Sequence, residues 1–95
     1  MEIINEQSVI DALCLSQAYH NDLQPQDVMV ELTYDDDEGF GAEVEFRDGR
    51  TALLSHSDMI GALRAWVKDV LHLDPFSSII ELVLDDEEGI IAHVK

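Results

Sequence analysis

The chain has 95 residues, 46% of them apolar, and sets 21 Asp and Glu against 5 Lys and Arg for a net charge of −16. That length and apolar content suffice for one small domain with its own core, folded rather than disordered despite the charge. The charge excludes free nucleic acid and an anionic membrane surface as partners, since both are recognised through basic side chains, and leaves basic proteins, metal cations and cationic ligands.

The opening residues MEIINEQS contain no basic region and no long apolar run, so no signal peptide is expected there. No stretch approaches the roughly 20 apolar residues of a membrane helix. Cys14 is the single cysteine, which excludes an internal disulfide and a Cys-based zinc cluster. The expected location is the cytoplasm.

Taken in chain order, Asn5 is a good N-cap, and Ile4 and Val9 occupy the two positions of a hydrophobic staple. Ile10, Leu13, Cys14, Gln17 and Ala18 then follow helical spacing, which predicts a helix to about Asn21. Pro25 blocks continuation. Val28, Val30, Leu32 and Tyr34 alternate with Met29, Glu31 and Thr33, and Phe40, Ala42, Val44 and Phe46 alternate with Gly41, Glu43 and Glu45. This period of two predicts two strands with one buried face. Arg47-Asp48-Gly49-Arg50 is a tight-turn signal, after which Thr51–Leu54 should return as a further strand. Ser55 or Ser57 caps a second helix, whose stripe is Met59, Ile60, Leu63, Trp66, Val67, Val70 and Leu71. Pro75 ends it. The last hairpin places Ile80, Leu82 and Leu84 on one face and Ile79, Glu81 and Val83 on the other. A strand apolar on both faces reads as central.

The chain also matches itself. At an offset of 50, residues 5–44 lie on 55–94 without a gap, and thirteen positions are identical, among them Leu13/Leu63, Pro25/Pro75, Asp35/Asp85 and Gly39/Gly89. Ordinary residue frequencies would give on the order of three. The expectation is one domain, 1–95, carrying an internal repeat, with α+β order α-β-β-β-α-β-β, two αββ units and both helices on one face of an antiparallel sheet. An edge strand left free is expected to recruit a second copy as a homodimer.

Three segments carry a family resemblance: the I-D-A-x-C helix at Ile10–Cys14, the P-x-D-V-x-V-E-L entry at Pro25–Leu32, and the Y-D-D-x-x-G-F-x-A turn at Tyr34–Ala42. With these the chain resembles, nearly end to end, the YxcD-like family of small acidic proteins from Bacillus-type bacteria. The resemblance implies a bacterial cytosolic α+β protein. That family is without known function, so it transfers no site residues.

Candidate chemistry centres on the two hairpin tips, Asp35, Asp36, Asp37 and Glu38 in the first and Asp85, Asp86, Glu87 and Glu88 in the second. Gly39 and Gly89 supply the positive φ such a turn needs. A calcium site would need several converging oxygens, but the EF-hand spacing is missing and successive acids in a hairpin point to alternate sides. His20, His56, His72 and His93 show no metal-ligand spacing. Cys14 lies on the core face and has no activating partner in the sequence. Ser55, His56 and Asp58 are adjacent in sequence, which is not triad geometry. No cofactor motif is present. The sequence therefore predicts a non-enzymatic binding or regulatory module for a basic protein partner, engaged by the tips and by the outer sheet face with Glu31, Glu43, Glu45 and Glu81. The alternative is a ligand- or calcium-binding domain, or a small enzyme, that uses the cleft between the repeats.

Overall fold

The computed structural model describes residues 1–95 and shows an α+β fold of six strands and two helices. The chain order is β1 (Glu2–Ile4), α1 (Glu6–His20), a short 3₁₀ turn (Pro25–Asp27), β2 (Val28–Asp35), β3 (Gly39–Phe46), β4 (Thr51–Leu54), α2 (His56–Trp66) continued by a π-helical turn (Val67–Leu71), β5 (Ile80–Asp85) and β6 (Gly89–Val94). The helix starts follow the sequence. The Asn5 side chain accepts the Ser8 N–H at 2.8 Å. At α2 the cap is Ser55: its hydroxyl accepts the Asp58 N–H at 3.2 Å, and the Asp58 carboxylate accepts the Ser55 N–H at 3.0 Å.

Where one sheet is expected, the strands form two, each antiparallel and three-stranded, in the orders β1-β6-β5 and β2-β3-β4. β1 was not foreseen. Both β1 and β4 run straight into a helix, and at three and four residues they offer little free backbone for the other sheet to join. β5, expected to be central, lies at an edge, with Ile79 65% exposed beside it. The strand buried on both faces is β6, whose Ile90, Ile91 and Ala92 are successive buried residues.

The pairing registers correspond at the same offset of 50. Ile4 pairs with Ala92, and Leu54 with Ala42; Ile3 pairs with His93, and Leu53 with Glu43. Each half thus adds its first strand to the other half's hairpin. The non-glycine residues with positive φ are Asp22 (56°) and His72 (58°), again 50 apart, each just beyond a helix.

α1 packs on β2, β6 and α2, and α2 packs on β3, β4 and β5, so the helix pair covers the inner faces of both sheets. The main core contains Ile4, Val9, Leu13, Met59, Leu63, Val67, Leu82 and Ala92, and a smaller cluster gathers Ala18, Val28, Val44 and Phe46. Every buried residue is apolar. No helix is long and apolar enough to cross a membrane.

Candidate functional site

The two acidic tips fold by the same local chemistry. Asp35 Oδ1 accepts the N–H groups of Asp37 and Glu38 at 2.7 and 3.1 Å. Asp85 Oδ1 accepts those of Glu87 and Glu88, both at 2.9 Å. Gly39 and Gly89 then close the turns at φ of 80° and 79°. The first acid of each tip is therefore committed to the turn, and the next three point into solvent. The tips end at different helices. The first borders Ser55, His56 and Asp58 at the start of α2. The second meets α1, where Glu6 Oε2 accepts the Ile90 N–H at 2.7 Å. No hydrogen bond or ion pair joins one tip to the other, and no three His, Cys, Asp or Glu side chains converge on a common ion position.

The turn bonds also set a pH dependence. The backbone N–H groups of Glu88 and Glu87 hold the Asp85 carboxyl below the usual range, with His93 assisting. The Ser55 N–H and hydroxyl do the same for Asp58, and the Arg50 N–H and side chain for Asp48. A folded pKa below the unfolded one stabilises the fold above the unfolded value, near 4, and the contribution disappears as pH falls through the folded value. Thermal melts of Asp85→Asn beside the parent should show the parent ahead at pH 7, with the gap closing as pH drops below about 4. A gap that is the same at both ends would mean that the ionised carboxylate does not hold the turn.

The outer face of β2-β3-β4 gathers Glu31, Glu43 and Glu45. Glu31 pairs directly opposite Glu43, Glu45 lies between Met29 and Thr51, and Leu53 stands beside Glu43. These residues line a shallow depression of about 350 Å³. Of the five cations, Arg47 pairs with Asp27 at 3.3 Å, Arg50 with Asp48 at 2.7 Å and Lys95 with Glu81 at 3.7 Å, so all but three of the 21 acids lack an ion-pair partner. The Glu31–Glu43–Glu45 group is among them. Glu81, by contrast, is in the other sheet, opposite His93.

The remaining candidates have structural surroundings. The Cys14 thiol lies 3.7 Å from the Val28 carbonyl oxygen, and burial, with the nearby Asp11 charge, pushes its pKa up, away from a reactive thiolate. His20, His56 and His72 are exposed at helix ends, and the His56 ring lies 6.3 Å from that of Phe40. The cleft between the halves is real: an open groove of about 670 Å³ runs between α1 and α2, lined by Leu15, Tyr19, Trp66 and Val70 among others. Helical spacing assigns Trp66 and Val70 to the core stripe and leaves Leu15 and Tyr19 outside it. The missed signal was the i, i+4 spacing of Leu15 and Tyr19 away from the core stripe of their helix.

The fold and these surfaces define a small, strongly acidic α+β protein with carboxylate-rich and apolar faces. It belongs to the DUF2653 family, whose description is a protein of unknown function and whose family model matches residues 1–87. It is 31% identical over 93 residues to the uncharacterized protein YxcD of Bacillus subtilis (strain 168), a match covering 97% of this chain and 90% of that protein. The resemblance carried by Ile10–Cys14, Pro25–Leu32 and Tyr34–Ala42 is thereby borne out. No solved structure matches the chain.

Proposed function

We propose that the protein is a non-enzymatic cytoplasmic binding module for a basic protein, which it meets through the outer face of β2-β3-β4 and the acidic tip Asp35–Glu38 of the same sheet. The observation that carries this reading is Glu31 directly opposite Glu43, with Glu45 alongside and no ion-pair partner for any of the three. Like charges opposite one another on a sheet destabilise it. Solubility needs net charge, which spread acids supply equally well. A cationic partner would turn the same cost into affinity and fast electrostatically steered association. Exposed Met29 and Leu53 on the same face add apolar contact. The correspondence at offset 50 supports reading the two halves as an internal duplication, in which this face has diverged: Glu43 and Glu45 stand where the other half has His93 and Lys95.

The test is the pair Glu31→Gln and Glu43→Gln together. Relief of the opposed charges should stabilise the free protein by about 0.2–1 kcal/mol, read as a higher melting temperature at low salt that fades at high salt. In a native-lysate pull-down, the parent should retain a basic protein that is released by salt, and the double variant should not. Equal retention by both forms would rule this face out, and no retained protein would reject the reading.

A further inference from the structure

The groove between α1 and α2 has features that the acidic face does not explain. No strand residue lines it, so it lies on the surface of the helix pair away from both sheets. Its floor is made of small residues, including Ala12 and Ala62, and its walls are Leu15 and Tyr19 from α1 and Trp66 and Val70 from the α2 side. Three of these apolar walls face water: Tyr19 is 84% exposed, Val70 47% and Leu15 46%.

A local departure from helical geometry builds one wall. After α1 the chain closes with the Leu23 N–H on the Ala18 carbonyl, whereas after α2 the Leu73 N–H reaches the Val67 carbonyl, one residue further back. The wider bond closes over the π-helical turn Val67–Leu71. By spacing alone, Val70 would continue the stripe of Met59, Leu63 and Val67 into the core. The π turn instead leaves it at the groove, beside Asp69. A π turn is rare and frequently marks a functional site, and the equivalent stretch of α1 is regular helix to His20.

The geometry points to this groove as the docking site for an amphipathic helix of a partner protein, with apolar anchors on one face and Lys or Arg on the other. The size and lining suit the apolar face of a helix, seated through anchors at i, i+3, i+4 and i+7. The sign of the flanking charge comes from this chain. Asp69 lines the groove, Asp11 sits one turn before Leu15 on the exposed side of α1, and the whole chain carries −16. That charge opposes a second copy and an anionic membrane as occupants and favours a cationic segment. The inference deepens the proposed function and rests on it for the charge of the partner, but it assigns a different surface.

Trp66 is the single tryptophan and lines the groove, so its emission reports occupancy directly. The probe is an 18-residue helical peptide of Leu and Lys with Leu at helical spacing, compared with a scrambled peptide of the same composition. The helical peptide should give a saturable blue shift at one peptide per chain, and the shift should survive salt that abolishes binding of the scrambled peptide. Leu15→Asp and Val70→Asp, both at exposed positions and checked for an unchanged far-UV spectrum, should each weaken binding by about tenfold or more, in line with loss of one apolar anchor. The Glu31→Gln and Glu43→Gln double variant should still show the salt-resistant shift, so failure of the acidic sheet face and failure of the groove are separable. The inference is overturned by absence of a shift, by equal shifts with both peptides, or by undiminished binding in both Asp variants. A blue shift that grows with protein concentration alone would also overturn it, since a second copy would then be the occupant.

Discussion

Gly89→Ala will lower the melting temperature far more than Gly39→Ala, although the two glycines occupy matching turns with φ of 79° and 80°. An alanine at either site enters left-handed backbone, at a cost of about 1–2 kcal/mol. At Gly39 nothing lies within 4 Å of the new methyl group, so strain is the whole effect. At Gly89 the methyl group would be placed directly on the Glu6 carboxylate. Glu6 can swing aside only by releasing the Ile90 N–H, which it holds at 2.7 Å in a residue only 6% exposed. Leaving that donor without a partner adds about 1–3 kcal/mol. In a domain of this size each kcal/mol moves the midpoint by about 4–8 °C, so the difference between the two variants should be unmistakable. The Glu6 contribution can be isolated: in a Glu6→Ala background the methyl group has room and the Ile90 bond is already gone. There, Gly89→Ala should cost no more than Gly39→Ala does in the parent. Equal costs in the parent itself would show that the Glu6 contact carries no stability.

That contrast also shows what the amino-acid pattern can and cannot reveal. The turns were legible because their chemistry is local: an Asp to accept, acids that tolerate solvent, and a glycine for positive φ. The contact between Glu6 and the second tip joins residues 84 apart and depends on how α1 is docked, so no local pattern announces it. The helices, their caps and the buried strand faces were legible from periodicity. The division into two sheets was not, because it depends on β1, a strand of three residues with no alternation to read. The misplacement of β5 has a similar cause. Apolar residues on both faces indicate burial on both faces only if the sheet is covered, and the outer face at Ile79 is open. The more reliable mark of a central strand was the unbroken run Ile90-Ile91-Ala92. The candidate surfaces divide in the same way. Glu31 and Glu43 could be assigned to an outer face from alternation, but their direct opposition needed the register. The groove needed the packed helix pair and a π turn that nothing in Val67–Leu71 foretells.

The second large effect is expected in the core, where Leu13→Ala and Leu63→Ala should each destabilise by about 3–5 kcal/mol. Both residues are fully buried and belong to the same core cluster, one on each helix and 50 positions apart. Truncation removes the transfer free energy of the side chain and leaves a cavity, and helices held from both sheets have little freedom to collapse into it. Against a total stability of about 5–15 kcal/mol for a domain of this kind, either change is severe, and the two together should leave little folded protein at 37 °C. Urea unfolding followed by Trp66 fluorescence gives both values in one experiment, with the slope as a check on two-state behaviour. Similar costs mean that the two helices share the core evenly, as the matched registers imply. A cost below about 1 kcal/mol at either position would mean that its helix adapts to the lost volume, against the close packing that the buried positions describe. Leu15→Ala is the necessary contrast. Leu15 projects into the groove rather than the core, so its truncation should change stability by less than about 0.5 kcal/mol while weakening capture of the amphipathic helix. Leu13 and Leu15, two residues apart on one helix, thus test separately what holds the fold together and what the fold displays.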